Sequence, residues 1–187
     1  MQKLMAELRR DHRNIGRLLK LLEGELDKMS NDGDPDLLLM LDIVDYVENY
    51  PDLVHHPREN LVFAAYKAKS LEGAEIVDGL LEEHRLLPKM TRLFRTLLEE
   101  VSDSAIIITR DELRAKAQEY IDRQREHLNT EERLMFPMIE STLDEEDWHD
   151  LEATSPEYKD PLFDAEVDRY QNILNYLRER EQQEEPA

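Results

Sequence analysis

A histidine pattern that occurs twice constrains the fold of this chain more than any other feature. The chain carries a histidine and, 43 residues later, a His-x-x-x-Glu pair, and it then repeats the whole arrangement. The first copy contains His12, His55 and Glu59, and the second contains His84, His127 and Glu131. On an α-helix, a separation of four residues places an imidazole and a carboxylate on one face, one turn apart. The repeat therefore predicts helices that direct these six side chains toward one site.

Apolar residues recur at three- and four-residue steps along most of the chain, which is typical of amphipathic helices. This periodicity predicts four long helices, at about residues 4–29, 35–69, 74–101 and 109–141. Short connections join them, so each helix is expected to lie antiparallel to the next. The predicted fold is an all-α, up-down-up-down four-helix bundle.

Local signals predict where the second and fourth helices begin and where the second is interrupted. Asp34 can cap the second helix, and the proline that follows it can occupy the first helical position. Two further prolines lack an N–H, so a kink or restart is expected between Tyr50 and Pro57. Thr109 and Glu112 match a capping box at the start of the fourth helix.

Residues 1–143 are predicted to form the bundle, and residues 144–187 a C-terminal helical extension. The last helix of the extension is predicted to run from Asp160 to about Arg180, with Val167 on its apolar face. That face could pack on the bundle or mediate self-association, for example in a homodimer, and the sequence leaves both open.

Composition excludes several classes of partner and cofactor. The chain has 187 residues, enough for one domain with a hydrophobic core. With 24 basic and 44 acidic residues, its net charge of −20 argues against binding nucleic acid or an anionic membrane surface. The absence of cysteine excludes disulfides, thiolate metal sites and cysteine nucleophiles. No apolar run reaches the roughly 18 residues of a membrane span, and the N-terminus lacks a signal-peptide core, so we expect a cytoplasmic protein.

The six repeated residues have the chemistry of a metal site. Imidazoles and carboxylates together suit iron, manganese or zinc. Six ligands exceed the four of a structural tetrahedral zinc, so two metal ions fit better. If both carboxylates bridge, each metal receives two imidazoles and two carboxylate oxygens, and an added oxo or hydroxo bridge supplies a fifth ligand. One position on each metal then stays open for a small molecule.

A simpler interpretation applies to each residue taken alone. A single histidine on an apolar helical face is more often a hydrogen-bonded core residue than a ligand. A single His-x-x-x-Glu is more often a surface pair, which contributes only about 0.2–0.5 kcal/mol to helix stability. The doubled pattern favours the metal interpretation, because burying several such groups without compensation is costly.

Residues next to the six candidates are expected to play other roles. His56 follows His55 by about 100° around an α-helix, so it should point away from the site, as an outer-layer or surface residue. Glu132 and His149 are expected to face solvent. Phe63 and Phe136 are expected to seal the site with apolar rings.

The pattern resembles that of the hemerythrin-like family, also called the HHE cation-binding domain. The residues that carry the resemblance are His12, His55-His56-Pro57-Arg58-Glu59, His84 and His127-Leu128-Asn129-Thr130-Glu131. The resemblance covers about residues 5–140. It implies a non-haem di-iron centre bridged by the two carboxylates, with the four histidines as terminal ligands.

One position departs from the oxygen-carrying hemerythrins, which use a fifth histidine one turn after that of the third helix. Pro88 stands there in this chain. The resemblance is therefore closer to bacterial di-iron proteins associated with nitric oxide, oxidative stress or the repair of iron–sulfur clusters. Repair proteins of that kind usually carry an additional N-terminal domain that bears a cysteine, and this sequence contains no cysteine.

Three functions are compatible with the sequence. The first is a di-iron protein that binds or reacts with O2, NO or peroxide, in sensing, storage or stress defence. The second is an enzyme-like repair protein that donates iron to damaged iron–sulfur centres. The third is a metal-stabilised interaction or regulatory module. Whether the chain is an enzyme stays open at this stage.

Overall fold

The computed structural model describes residues 2–31, 33–156, 158–164 and 168–184, and within them every regular element is helical. The α-helices are α1 (Lys3–Ser30), α2 (Leu37–Asn49), α3 (His56–Lys69), α4 (Ala74–Ser102), α5 (Arg110–Thr130), α6 (Phe136–Thr142), α7 (Glu145–Thr154) and α8 (Gln171–Glu184). The prediction of an all-α chain is confirmed. Across these described ranges, no helix combines the length and the apolar character needed to cross a membrane.

The predicted interruption of the second helix is confirmed, and it is a π-helical turn at Pro51–His55 between α2 and α3. A second π-helical turn, Glu131–Met135, separates α5 from α6 and was not predicted. Each turn is followed two residues later by a proline, Pro57 or Pro137. Because proline cannot donate to the carbonyl four residues before it, the helical turn before each proline can widen from an α-helical to a π-helical turn.

Hydrogen bonds at the helix starts confirm one predicted cap and correct another. The Thr109 hydroxyl accepts from the Glu112 N–H, and the Glu112 carboxylate accepts from the Thr109 N–H, so the predicted capping box is present. The predicted cap at Asp34 is wrong. Asp36 caps α2 instead, because its carboxylate accepts from the Leu39 N–H at 3.0 Å.

The long helices pack on one another around an apolar interior. α1 packs on α2 and α5, and α4 packs on α2 and α5. The interior contains two separate apolar clusters. The lower cluster includes Leu4, Leu8, Val62, Phe63, Leu80, Met135 and Phe136, and the upper cluster includes Ile15, Leu18, Ile43, Tyr46, Tyr50, Phe94 and Ile121.

Buried polar residues lie between these two clusters. On α1, His12 falls between Leu8 of the lower cluster and Ile15 of the upper cluster. His12 lies four residues after Leu8 and three before Ile15, so it shares the buried face of α1 with them. The apolar clusters thus enclose a polar layer from both sides.

The extension packs on the same interior. Trp148 and Leu151 of α7 belong to the lower cluster, while Ile173 and Leu177 of α8 belong to the upper one. The predicted start of the last helix at Asp160 is wrong, because α8 begins at Gln171 after a short 3-10 turn at 168–170. Val167 lies outside the described residues.

Candidate metal centre

The six residues of the repeated pattern converge in the polar layer between the two apolar clusters. All six are buried, and Glu59 and Glu131 have 0% of their surface exposed. α1 supplies His12, the first π-helical turn and α3 supply His55 and Glu59, α4 supplies His84, and α5 with the second π-helical turn supplies His127 and Glu131. Residues from both halves of the sequence repeat therefore form one cluster.

His12 and His55 form one side of this cluster. Their rings meet edge to face, with centroids 4.9 Å apart. Glu59 Oε1 lies 3.0 Å from His12 Nε2 and 3.3 Å from His55 Nε2. The two Nε2 atoms therefore point at the same carboxylate oxygen.

His84 and His127 form the other side with nearly the same geometry. Their rings also meet edge to face with centroids 4.9 Å apart, and their Nε2 atoms are separated by 3.2 Å. Glu131 Oε1 lies 3.2 Å from His84 Nε2 and 3.3 Å from His127 Nε2. The second half of the repeat thus reproduces the arrangement of the first.

Each carboxylate also reaches the opposite histidine pair through its second oxygen. Glu59 Oε2 lies 3.5 Å from His84 Nε2, and Glu131 Oε2 lies 3.3 Å from His12 Nε2. Both carboxylates therefore lie between the two pairs of imidazoles, with one oxygen toward each pair.

The outward Nδ1 atoms of the four histidines face oxygen acceptors, which fixes the direction of the rings. Histidine Nδ1 to oxygen distances are 2.9 Å for His12 and Glu132, 3.3 Å for His55 and Asp11, 2.6 Å for His84 and Asn60, and 2.8 Å for His127 and Glu83. When Nδ1 carries the proton and donates to such an oxygen, Nε2 keeps its lone pair for a metal.

These outer acceptors follow the same repeat as the inner residues. Asp11 and Glu83 each directly precede the single histidine of their copy, and each faces the other histidine of that copy. Asn60 and Glu132 each directly follow the glutamate of their copy, and each faces the single histidine of the opposite copy. The duplication therefore extends beyond the six residues that the sequence pattern identified.

Apolar rings close the site, as the sequence predicted. Phe136 stacks on His12 with centroids 5.0 Å apart, and Phe63 stacks on His84 with centroids 5.8 Å apart. Both phenylalanines are fully buried. They limit the access of bulk water to the imidazoles, which strengthens electrostatic interactions inside the site.

Charges within the cluster shift the pKa values of its members. Burial alone would lower the pKa of His12, but its close contacts with the carboxylates of Glu131, Glu132 and Glu59 raise that pKa well above its usual value. Burial alone would raise the pKa of Glu59, but the neighbouring His55 and His12 hold it well below its usual value. The two histidines therefore favour the ionised form of the Glu59 carboxylate, which attracts positive charge.

Several buried atoms of the cluster fit a bound cation. His55 Nε2, Glu59 Oε2 and Glu131 Oε2 are buried and make no hydrogen bond of ordinary geometry. Leaving such atoms without partners costs free energy, and a metal ion coordinated by them would remove that cost. The ligand atoms of His12, His55 and Glu59 lie within 4.8 Å of one another, as do those of His56, Glu59, His84 and His127. The donor set therefore fits a metal-ion site.

Two residues beside the six were predicted incorrectly. Glu132 was expected to face solvent, yet its carboxylate contacts both His12 and Arg9. His56 was expected to point away from the site, yet it is buried and stacks on His84 with centroids 4.4 Å apart. The sequence signal for His56 was the proline-rich interruption around it, which changes the rotation of the helix. His149 is exposed, as predicted.

Comparison with protein-family models identifies the family of the chain. Residues 3–139 of the 187-residue chain match the model of the hemerythrin HHE cation-binding domain. No curated protein matches the chain significantly. The matched region runs from the start of α1 into α6 and contains all six residues of the repeated pattern. The chain therefore belongs to the hemerythrin HHE cation-binding domain family.

Proposed function

We propose that the chain binds two iron ions, held by His12, His55, Glu59, His84, His127 and Glu131, and that it binds or reacts with O2, NO or peroxide in sensing, storage or stress defence. The observation that carries this proposal is the position of the two carboxylates. Each has one oxygen within 3.5 Å of a histidine of one pair and its other oxygen within 3.5 Å of a histidine of the opposite pair. That is the arrangement two bridging carboxylates need.

The donor set is compatible with iron as the metal. All the candidate ligand atoms are imidazole nitrogens or carboxylate oxygens, a combination that suits non-haem iron and also accommodates manganese or zinc. A pair of iron ions bound here would supply redox chemistry and coordination positions open to a small ligand, with an oxo or hydroxo bridge between them. Phe63 and Phe136 would keep bulk water from the same space.

The proposal includes an up-down-up-down arrangement of the helices in residues 1–143. The order of the two apolar clusters along the chain supports it. α1 passes from the lower cluster to the upper one, the segment from α2 to α3 passes from upper to lower, and α4 again passes from lower to upper. Successive segments that cross the polar layer in alternating directions are those of an antiparallel bundle.

Iron loading under anaerobic conditions, followed by O2 or NO, tests the proposed chemistry. We expect two iron ions per chain and new charge-transfer bands in the visible spectrum after the small molecule is added. His149→Ala serves as a control, because it removes an exposed histidine outside the site. A protein that loads iron but shows no spectral response to O2, NO or peroxide would contradict the proposed reactivity.

One observation favours a second candidate, a metal-dependent regulatory module. Tyr158 of the extension stacks on Tyr50 with centroids 5.5 Å apart, and Tyr50 donates a hydrogen bond to Asp11 at 2.9 Å. Asp11 also contacts His55. A metal-dependent change at His55 could therefore alter the surface around the half-exposed Tyr158. Limited proteolysis of the metal-loaded and metal-free protein tests this, and equal cleavage near residues 155–160 in both forms would argue against it.

A further inference from the structure

His56 is a fifth histidine at the candidate metal centre, although a regular α-helix would place it elsewhere. Only 4% of its surface is exposed. Its ring stacks on His84 at 4.4 Å, meets His127 edge to face at 5.4 Å, and lies 5.7 Å from the ring of His55. Three imidazoles of the candidate centre thus surround it.

The first π-helical turn explains how two adjacent histidines reach one site. In this turn the His56 N–H donates to the Pro51 carbonyl, five residues before it, whereas an α-helix would use the carbonyl four residues before. The wider turn changes the rotation between α2 and α3. As a result, His55 lies on the side of His12, while His56 lies on the side of His84 and His127.

Donor atoms around His56 match a metal-binding group. One ligand atom from each of His56, Glu59, His84 and His127 can be chosen so that all four lie within 4.8 Å of one another. His56 Nδ1 and both oxygens of Asp52 are buried and make no hydrogen bond of ordinary geometry, with Nδ1 3.4 Å from Asp52 Oδ1. Asp52 is thus placed to accept from Nδ1 when the ring is held by a metal, and Nε2 then keeps its lone pair for that ion.

The second half of the repeat shows that packing alone does not require a histidine here. Aligning the two halves on His55 and His127 places Leu128 opposite His56. Leu128 is buried with the upper apolar cluster. A nitrogen donor is therefore present in one half of the repeat and absent from the other, so the two sides of the site differ.

We propose that His56 coordinates the metal ion on the side of His84 and His127 as a fifth imidazole ligand, with Asp52 orienting its ring. This inference rests on the proposed function, since it requires the metal pair. It makes the site asymmetric, with three imidazoles on one side and only His12 and His55 on the other.

Replacement of His56 with the residue that the repeat places opposite it tests the inference. Co2+ alone is the probe, because its absorption bands respond to the number and type of ligands. In His56→Leu, we expect the affinity for one of two Co2+ ions to fall at least about tenfold, with altered absorption. His56→Phe should have the same effect while keeping an aromatic ring against His84. His149→Leu is the control for loss of a histidine elsewhere.

The outcomes separate this inference from the proposed function. If the unmodified protein binds two Co2+ ions and both His56 variants bind them with unchanged affinity and absorption, His56 is a packing residue and the inference is wrong. If circular dichroism shows that one variant is unfolded, the other is judged by the same criterion, and Asp52→Asn provides a third test with an expected loss of about tenfold or more. Fewer than two Co2+ ions in the unmodified protein would overturn the metal pair itself.

Discussion

Glu132 on the second π-helical turn accepts a hydrogen bond from His12 Nδ1 on α1, at 2.9 Å. Arg9 contacts the same carboxylate from the preceding turn of α1. The carboxylate thereby holds the His12 ring so that Nε2 points toward Glu59 and Glu131. A residue that ligates nothing itself can in this way determine the direction of a proposed metal ligand.

Glu132→Ala is expected to weaken metal binding by about 10- to 100-fold, because it removes the oxygen that orients His12. Glu140→Ala is the matched control. Glu140 also pairs with Arg9, at 2.9 Å, but has no contact with His12 among those the structure shows. Competition with a chelator of known affinity measures the change. Equal losses in the two variants would mean that Arg9, and not the orientation of His12, accounts for the effect.

Tyr50→Phe is expected to destabilise the fold by about 1–3 kcal/mol, because it removes a hydrogen-bond donor from the buried Asp11 carboxylate. Tyr158→Phe is the control, since Tyr158 is 46% exposed. It should change the free energy of unfolding by no more than about 0.5 kcal/mol. Urea denaturation of the metal-free forms compares the two. A Tyr50 variant as stable as the unmodified protein would show that Asp11 finds another donor.

Phe136→Ala is expected to reduce the free energy of unfolding by about 3–5 kcal/mol, because it empties a fully buried position. Phe136 also stacks on His12. The guanidinium carbon of Arg9 lies over the Phe136 ring, 5.3 Å from its centroid. Leu134→Ala two residues earlier is the control, since Leu134 is 50% exposed. Thermal and urea unfolding should separate the variants clearly, and similar losses would argue against Phe136 as a core residue.

Removal of metal by a chelator is expected to lower the melting temperature without unfolding the helices. Metal binds the native site in preference to the unfolded chain, so its removal withdraws binding free energy from the folded state. The two apolar clusters consist of side chains that pack on one another, so we expect them to stay buried after the metal is removed and to hold the helices together. Circular dichroism during a thermal scan measures both effects. Complete loss of helicity at room temperature would show that the apolar clusters cannot hold the helices together without the metal.

Much of this architecture follows from local rules that act within one helix. The spacing of Leu8, His12 and Ile15 fixed the buried side of α1, and the Thr109–Glu112 box fixed the start of α5. The repeat of histidines and glutamates predicted the six residues that converge. These features depend on three- and four-residue periodicity, which the sequence displays directly.

The wrong predictions for His56 and Glu132 lie at the two π-helical turns, where that periodicity is broken. The expected direction of His56 assumed a regular α-helix, but the π-helical turn before it changes the rotation. The second such turn was missed although Pro137 marks it, just as Pro57 marks the first. Glu132 was misjudged because a charged residue beside a buried one usually faces solvent. Its partner lies on α1, and a contact between residues so distant in sequence leaves no trace in local periodicity.

The central claim is that Glu59 and Glu131 bridge two metal ions, and the metal content of the variant Glu59→Ala/Glu131→Ala tests it most directly. After anaerobic loading and removal of excess metal, the unmodified protein should retain two iron ions per chain. The double variant should retain less than one while circular dichroism still shows a helical fold. Retention of two ions by the folded double variant would contradict the account.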